Sequence, residues 1–146
     1  MSNILDKLTF TFIFGIELSI IQQAKIRKGD LMTTHKIPTG DRAFESIKSG
    51  NKTIEVRLYY PERHNIKPGD FIEFSCDGPK IKTDKVIKTR VLGLIVADTL
   101  EKLGGIINIQ NTEIPNVEQW LSYLREFYSD ADITKYGIAA IYIALV

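Results

Sequence analysis

The sequence predicts an α+β domain built on a mostly antiparallel, curved sheet with flanking helices. Three observations carry this prediction. Strand-like segments with alternating apolar residues recur along the chain, turns such as "KPGD" separate them, and an amphipathic helix lies in the C-terminal half. The length of 146 residues, with 44% hydrophobic and 25% charged residues, is typical of one globular domain.

The N-terminal segment stands apart from this pattern. Its apolar stretch "LTFTFIFGIELSII" is shorter than the about 20 residues that a membrane-spanning helix needs, and Glu17 interrupts it, unlike a signal peptide. Its alternation also allows an edge strand. The codons AAA-GGA-GAT can encode Lys28-Gly29-Asp30 and contain a ribosome-binding sequence just upstream of Met32. We therefore predict that residues 1–31 are a translated leader and that residues 32–146 form the domain.

A short helix and a strand open the predicted domain. The segment "TGDRAFESIKSGN" has apolar residues at helical spacing, with Thr39 or Asp41 as N-cap and Gly50 just past the end. In "KTIEVRL" the apolar residues alternate with charged ones, and a period of two places them on opposite faces of a strand. One face of this strand is therefore assigned to the core, and the charged face lies on the other side.

Two further strands follow. Pro68 presets one backbone dihedral angle and Gly69 accepts a positive φ, so "KPGD" is a turn. The segment "DFIEFSC" alternates as a strand, and "KVIKTRVLGLIVAD" is rich in β-branched residues. The second of these predicts a long strand that bends at Gly93, and a short helical piece follows from Asp98 to Leu103.

The C-terminal part combines a helix with a buried strand. Asn116, with a glutamine three residues later, is a capping-box variant that begins a helix reaching Tyr128. One apolar stripe runs along this helix, and we expect it to pack Trp120, Leu124 and Phe127 inward. The apolar "YGIAAIYIALV" predicts a closing strand.

Composition limits the classes of function. A formal charge of +1 argues against a generic polyanion binder, although residues 32–97 hold twelve Lys and Arg against eight Asp and Glu. We expect any nucleic acid to bind a local basic face, without sequence-specific recognition of DNA. A single cysteine, Cys76, favours a reducing cytoplasm. His35 and His64 have no ligand partners at metal-binding spacing, so no metal or other cofactor is expected.

Four segments in order resemble a known family. They are "F-x-x-I-x-x-G-x-K-T-I-E-V-R-L", "R-x-x-I-K-P-G-D-x-I-E-F", an amphipathic helix ending in "F-Y", and "Y-G-I-A-A-I-Y-I". From Phe44 to Ile143 this order resembles the ASCH domain, a branch of the PUA-like superfamily. The resemblance implies a PUA-like β-barrel with flanking helices and an association with RNA. It also implies a cleft lined by Lys52, Glu55 and Arg57, with Tyr136 nearby at the start of the last strand.

The leading hypothesis is a module that binds RNA or a nucleotide-like ligand through this basic cleft. Lys52 and Arg57 suit phosphate, and Glu55 accepts from a base amine or a ribose hydroxyl. The simpler interpretation is an ion-pair cluster on a solvated sheet face, contributing at most about 1 kcal/mol per pair. Aromatic and basic residues just after this strand are candidates for a stacking rim: Tyr59, Tyr60, Arg63 and His64.

Two other classes of function stay open. An enzymatic branch of the family removes the acetyl group from N4-acetylcytidine and has a similar motif, but Glu55 stands where that branch has a catalytic Thr. A hydrolase, either a ribonuclease or a modified-nucleoside amidohydrolase, would use Glu55 as general base and Lys52 to stabilise charge. Alternatively, the acidic C-terminal half binds a protein partner. No membrane partner is expected, and the oligomeric state is left open.

Overall fold

The computed structural model describes residues 12–13, 16–17, 19–21 and 31–146. Within these residues the strands are β1 (Phe12–Ile13), β2 (Ile16–Glu17), β3 (Ser19–Ile21), β4 (Thr34–Thr39), β5 (Ile54–Leu58), β6 (Phe71–Cys76), β7 (Ile87–Ala97) and β8 (Ile138–Leu145). The α-helices are α1 (Asp41–Ser49), α2 (Leu100–Gly104), α3 (Val117–Arg125) and α4 (Asp130–Tyr136). Short 3₁₀ helices cover Pro61–Arg63 and Ile109–Thr112.

The main sheet has the strand order β4-β6-β7-β8-β5 and curls into a half-barrel. Neighbouring strands in this order are antiparallel except β4 and β6, which run parallel. The predicted α+β fold with a mostly antiparallel, curved sheet is therefore confirmed. Because β4 and β5 are the two edges of the order, an open seam separates them.

The predicted bend in the long strand is also confirmed. The register between β7 and β8 pairs Val91 with Ile143 and then Gly93 with Tyr142, so Leu92 is an extra residue. A bulge of this kind bends the strand and increases its twist. The bend at this point contributes to the curl of the sheet.

Hydrophobic side chains fill both faces of the sheet. On β8, Ile138 and Ala140 belong to one cluster, whereas Ala139 and Ile141 belong to another. The first cluster also takes in Trp120 from α3. A central strand buried on both faces explains the unbroken apolar run that the sequence shows there.

Helix α1 differs from its prediction at one end. Gly40 is the N-cap, so the expectation that Thr39 or Asp41 caps the helix is wrong. The other end agrees, because Gly50 adopts φ 85° and its N–H bonds the carbonyl of Ile47 at 3.1 Å. Glycine adopts this left-handed conformation without the steric cost of a Cβ.

Helix α3 is shorter than predicted. Asn116 caps it as expected, accepting from the N–H of Gln119 at 3.0 Å, but the helix ends at Arg125 rather than at Tyr128. Trp120 and Leu124 are buried as predicted, whereas Phe127 is 60% exposed, so its inward placement was wrong. The chain leaves the helix before Phe127, and this side chain no longer follows the apolar stripe. None of the described helices is long and apolar enough to cross a membrane.

Most of residues 1–31 lies outside the described part of the chain. Three described residues of this segment, Ser19–Ile21, pair antiparallel with Leu94–Val96 of β7. The same stretch of β7 pairs with β8 on its other side. The prediction that residues 1–31 are a leader stays a prediction, with this one observed contact against it.

Candidate functional site

A cleft of about 570 Å³ opens at the seam between β4 and β5. This volume lies within the range of about 300 to 1,000 Å³ that small-molecule sites occupy. Its lining comes from the end of β4, the start of α1, β5 and the residues leading into it, the loop after β6, and α3 with the residues after it. The chain elements around an unpaired strand edge therefore form a single concavity.

Glu55 lies at the base of the cleft because of the alternation in β5. Ile54, Val56 and Leu58 belong to the hydrophobic core, which directs Glu55 and Arg57 to the opposite side of the strand. Glu55 is only 4% exposed. A carboxylate this deeply buried needs polar partners, since burial without them is costly.

One oxygen of this carboxylate holds all of its partners. Oε1 of Glu55 lies 3.5 Å from Nζ of Lys52 and 3.6 Å from Nε of Arg57, and it accepts from the N–H of Val56 at 3.2 Å. The other oxygen, Oε2, is buried and has no hydrogen-bond partner among the described residues. An unsatisfied buried acceptor costs about 1 to 3 kcal/mol. A ligand that donates an N–H or O–H to Oε2 would remove this cost.

The two cations beside Glu55 are also largely buried. The Lys52 side chain is 10% exposed and the Arg57 side chain 19%. Arg57 uses Nη2 to donate to the carbonyl of Pro38 at 2.9 Å. The structure therefore places three of the sequence-predicted site residues, Lys52, Glu55 and Arg57, together in one cleft.

An aromatic group forms one wall. Tyr123, on α3, meets the Phe127 ring edge-on with centroids 5.0 Å apart, and the Phe127 and Tyr128 ring centroids are 6.4 Å apart. All three residues line the cleft. Burial raises the pKa of Tyr123 above its ordinary value, and the nearby Glu113 and Glu55 carboxylates raise it further. The hydroxyl of Tyr123 therefore stays protonated at neutral pH and is available as a donor.

Tyr136, the fourth predicted site residue, lies elsewhere. Its ring packs against Tyr60 at 4.9 Å between centroids, next to the core cluster that contains Trp120, and it is not part of the cleft lining. The predicted stacking rim is also placed away from the cleft, because none of its four residues lines it. Within this rim, the Tyr59 and His64 rings pack together with centroids 4.3 Å apart. The aromatic groups that border the cleft come from α3 and the residues after it.

Sequence reasoning missed the aromatic wall and the start of α1. Tyr123 falls outside the apolar stripe of α3, and it is 42% exposed. A large aromatic side chain off the buried stripe was the available signal for the wall. The signal that the start of α1 belongs to the cleft was weaker. The N-cap there is Gly40, which differs from the usual N-cap residues only by lacking a side chain.

The described residues contain no group of three or more His, Cys, Asp and Glu side chains placed to hold a metal ion. His35 is engaged elsewhere, with Nε2 2.9 Å from Oδ2 of the buried Asp70. Cys76 is a free cysteine whose Sγ lies 3.5 Å from Oδ1 of Asp41. The chemistry available around Glu55 is therefore that of a buried carboxylate, two largely buried cations and the aromatic wall of the cleft.

Comparison with known proteins matches residues 39–143 to the ASCH domain. The crystal structure of hypothetical protein PH0355 is similar with a TM-score of 0.66 and 31% sequence identity, covering 78% of this chain and 100% of that chain. The solution NMR structure of Protein PF0455 from Pyrococcus furiosus is similar with a TM-score of 0.60 and 30% identity, covering 78% and 98%. No curated protein matches the chain.

Proposed function

The chain belongs to the ASCH domain family, and from this premise we propose that it is a module that binds an RNA residue or a nucleotide-like ligand in the cleft between β4 and β5. The observation that carries the proposal is Glu55. Its Oε2 is buried and has no hydrogen-bond partner in the described part of the chain, while Lys52, Arg57 and a backbone N–H surround Oε1. Glu55 thus carries a buried acceptor with unused hydrogen-bonding capacity, directly beside two cations that line the cleft.

Such a site suits a ligand that carries donors and acceptors close together. The edges of nucleobases do so, and glutamate is a known acceptor for the amino group of cytosine. A ribose hydroxyl also serves as both donor and acceptor, and it distinguishes RNA from DNA. Ligand donors would meet Oε2 of Glu55, and ligand acceptors would meet Lys52 or Arg57.

The aromatic wall supports the same class of ligand. Proteins that recognise single-stranded RNA stack splayed bases on aromatic side chains, at about 1 to 3 kcal/mol per base. Tyr123 and Phe127 are partly exposed and border the cleft. A flat base lying against these rings would keep its polar edge directed at the charged residues of the cleft.

The proposal is tested by NMR titration of the ¹⁵N-labelled protein with the four ribonucleosides and with a short single-stranded RNA. Amide signals around Lys52, Glu55, Arg57 and Tyr123 should shift, and those around Tyr59, His64 and Tyr136 should stay unchanged. Shifts confined to the second group, or no shift with any of these ligands, would contradict the proposal.

A hydrolase is the second candidate, and the Lys52–Glu55 pair favours it. Nζ of Lys52 lies 3.5 Å from the Glu55 carboxylate inside the cleft, so a base and a charge-stabilising group lie close together. Incubation of the protein with single-stranded RNA and with N4-acetylcytidine separates the candidates. Turnover that is lost in Glu55→Gln would establish the hydrolase, and binding without turnover would support the module.

A further inference from the structure

Helix α1 begins at the wall of the cleft without a capping side chain. The first N–H groups of a helix have no partner within the helix, and a side chain at the N-cap usually accepts from them. Here the N-cap is Gly40, and within the described part of the chain no side chain caps this end of the nine-residue helix. Residues 40–43 all line the cleft. The first turn of α1 therefore borders the same cleft as Glu55.

Asp41, the nearest carboxylate, is committed to a different contact. It accepts from the N–H of Ile81 at 2.7 Å and from the N–H of Lys80 at 3.1 Å. These bonds, led by the one from Ile81, hold the pKa of Asp41 below its ordinary value. Asp41 fastens the loop after β6 to the helix and leaves the amides of its own first turn without a cap.

The missing cap is not a steric necessity. Gly40 has φ −79° and ψ 172°, an extended conformation that any residue adopts. A Cβ built there meets no heavy atom within 4 Å. Serine, asparagine or aspartate would fit at this position and would cap the helix. With glycine there, the N–H groups of the first turn of α1 receive no acceptor from the N-cap residue.

The charges around the cleft are compatible with an anion at this end. Four basic side chains line it, namely those of Arg42, Lys52, Arg57 and Lys80, against three acidic ones, Asp41, Glu55 and Asp77. Arg42 lies in the first turn of α1, where Nη2 donates to the carbonyl of Glu113 at 3.3 Å. Its side chain is 70% exposed, and its Nε lies 3.9 Å from Oε2 of Glu113.

Oε2 of Glu55, on a side chain that is 5% exposed, has no hydrogen-bond partner among the described residues, and this is an independent sign of a ligand that donates to it. We propose that the start of α1 is a phosphate subsite for the ligand whose N–H or O–H meets Glu55. The ligand is then a nucleoside phosphate or a phosphodiester of RNA, bound by its donor edge at β5 and by its phosphate at the amides of residues 41–43. This inference rests on the proposed function and adds the class of ligand.

The test compares each ribonucleoside with its 5′- and 3′-monophosphate by isothermal titration calorimetry at one fixed salt concentration. In the wild-type protein one monophosphate should bind about 2- to 30-fold more tightly than its nucleoside, the range that an anion gains at a helix N-terminus. Inorganic phosphate alone, titrated in parallel, distinguishes a nucleotide site from a general anion site. It should bind far more weakly than the nucleotide.

Variants at Gly40 test whether the tighter binding of the monophosphate depends on the start of α1. Gly40→Asp supplies a cap and a negative charge, so the ratio of the two affinities should fall to about one. Gly40→Asn caps without charge and should give the same loss. Gly40→Ala is the matched control, because it adds a methyl group but no acceptor, and it should keep the wild-type ratio. The melting temperature of Gly40→Asp should be equal to or above that of the wild type.

The outcomes separate this inference from the proposed function. If nucleosides bind in the cleft but their phosphates bind no more tightly, or if Gly40→Asp keeps the phosphate gain, the subsite is wrong and the proposed function stands. If phosphate alone binds as tightly as the nucleotide, the assignment to a nucleotide is wrong. If no nucleoside, nucleotide or RNA binds, both are overturned.

Discussion

Nη2 of Arg57 donates to the carbonyl of Pro38 at 2.9 Å, and this bond joins the two edge strands of the half-barrel. The same guanidinium group places Nε 3.6 Å from Oε1 of Glu55. One side chain therefore spans the seam and interacts with the buried carboxylate, which the planar, multi-donor geometry of arginine permits and that of lysine does not.

The first prediction concerns salt. If Arg57 or Lys52 contacts phosphate, Arg57→Ala and Lys52→Ala should each weaken RNA binding and reduce the salt slope by about one, because fewer counterions are released. Fluorescence anisotropy with labelled single-stranded RNA at several salt concentrations measures both quantities. Arg125→Ala is the control, since Arg125 pairs with Glu101 and Asp130 outside the cleft lining. Equal slopes in all four proteins would show that neither cation meets phosphate.

The second prediction separates stability from binding on α3. Trp120 is fully buried, so Trp120→Ala should lower the free energy of unfolding by about 3 to 5 kcal/mol. Phe127 is 60% exposed, so Phe127→Ala should change stability by less than about 0.5 kcal/mol and weaken RNA binding through loss of stacking. Urea denaturation and RNA titration of both variants check this. A large stability loss in Phe127→Ala would contradict its placement.

The third prediction concerns acid stability through Asp70, which accepts from the N–H groups of Thr33 and Lys67 and lies 2.9 Å from Nε2 of His35. Burial raises the pKa of Asp70, but these hydrogen bonds outweigh burial and hold it below its ordinary value of 3.8. A pKa lowered on folding adds stability above the ordinary value, and this stability is lost as pH falls through the lower folded value.

Asp70→Asn should therefore be destabilised by about 1 to 3 kcal/mol at pH 7, because the amide replaces one acceptor oxygen with a donor. The difference from the wild type should shrink as the pH falls below about 4. Urea denaturation at several pH values measures it, with Asp84→Asn, at an exposed loop position, as the control. A pH-independent difference would argue against a lowered pKa at Asp70.

The fourth prediction concerns the N-terminal segment. If residues 1–31 are a leader, a protein beginning at Met32 should fold with an unchanged melting temperature. The pairing of Ser19–Ile21 with Leu94–Val96 is the contact that removal would break. Thermal denaturation of the shortened and full-length chains compares them directly, and a lower melting temperature in the shortened chain would assign the segment to the fold.

Most of the fold could be predicted from local sequence patterns. The alternation in β5, the turn at Gly69 and the cap at Asn116 depend on neighbouring residues, and the structure shows each of them. The parallel pairing of β4 with β6 was not predicted, because it joins segments that are distant in sequence and β4 contains Pro38. Proline is depleted in strands and gives no local signal for one.

The missed features of the cleft depend on contacts between distant residues. Asp41 was predicted to be a possible N-cap from its residue type, but Ile81, forty positions away, binds its carboxylate instead. Phe127 was assigned to the core by helical spacing that the chain abandons after Arg125. Neither the distant partner nor the end of the helix is encoded in the spacing of apolar residues.

The central claim is that Oε2 of Glu55 accepts a hydrogen bond from the ligand. Charge alone favours the opposite result from Glu55→Gln, because removing a negative charge near a phosphate would leave RNA affinity near normal or raise it. The structure reverses this expectation. Lys52, Arg57 and the N–H of Val56 all donate toward Oε1, so in Glu55→Gln the carbonyl oxygen of the glutamine must occupy this position. The glutamine NH₂ would then face the ligand donor.

The most direct measurement is the dissociation constant of the best-binding ribonucleoside for the wild type, Glu55→Gln and Glu73→Gln, by isothermal titration calorimetry. Glu73, on β6, does not line the cleft and is the matched control. Glu55→Gln should bind about tenfold or more weakly, as expected when a charged acceptor of a buried hydrogen bond is lost, while Glu73→Gln binds like the wild type. Equal affinity in all three proteins would contradict the claim.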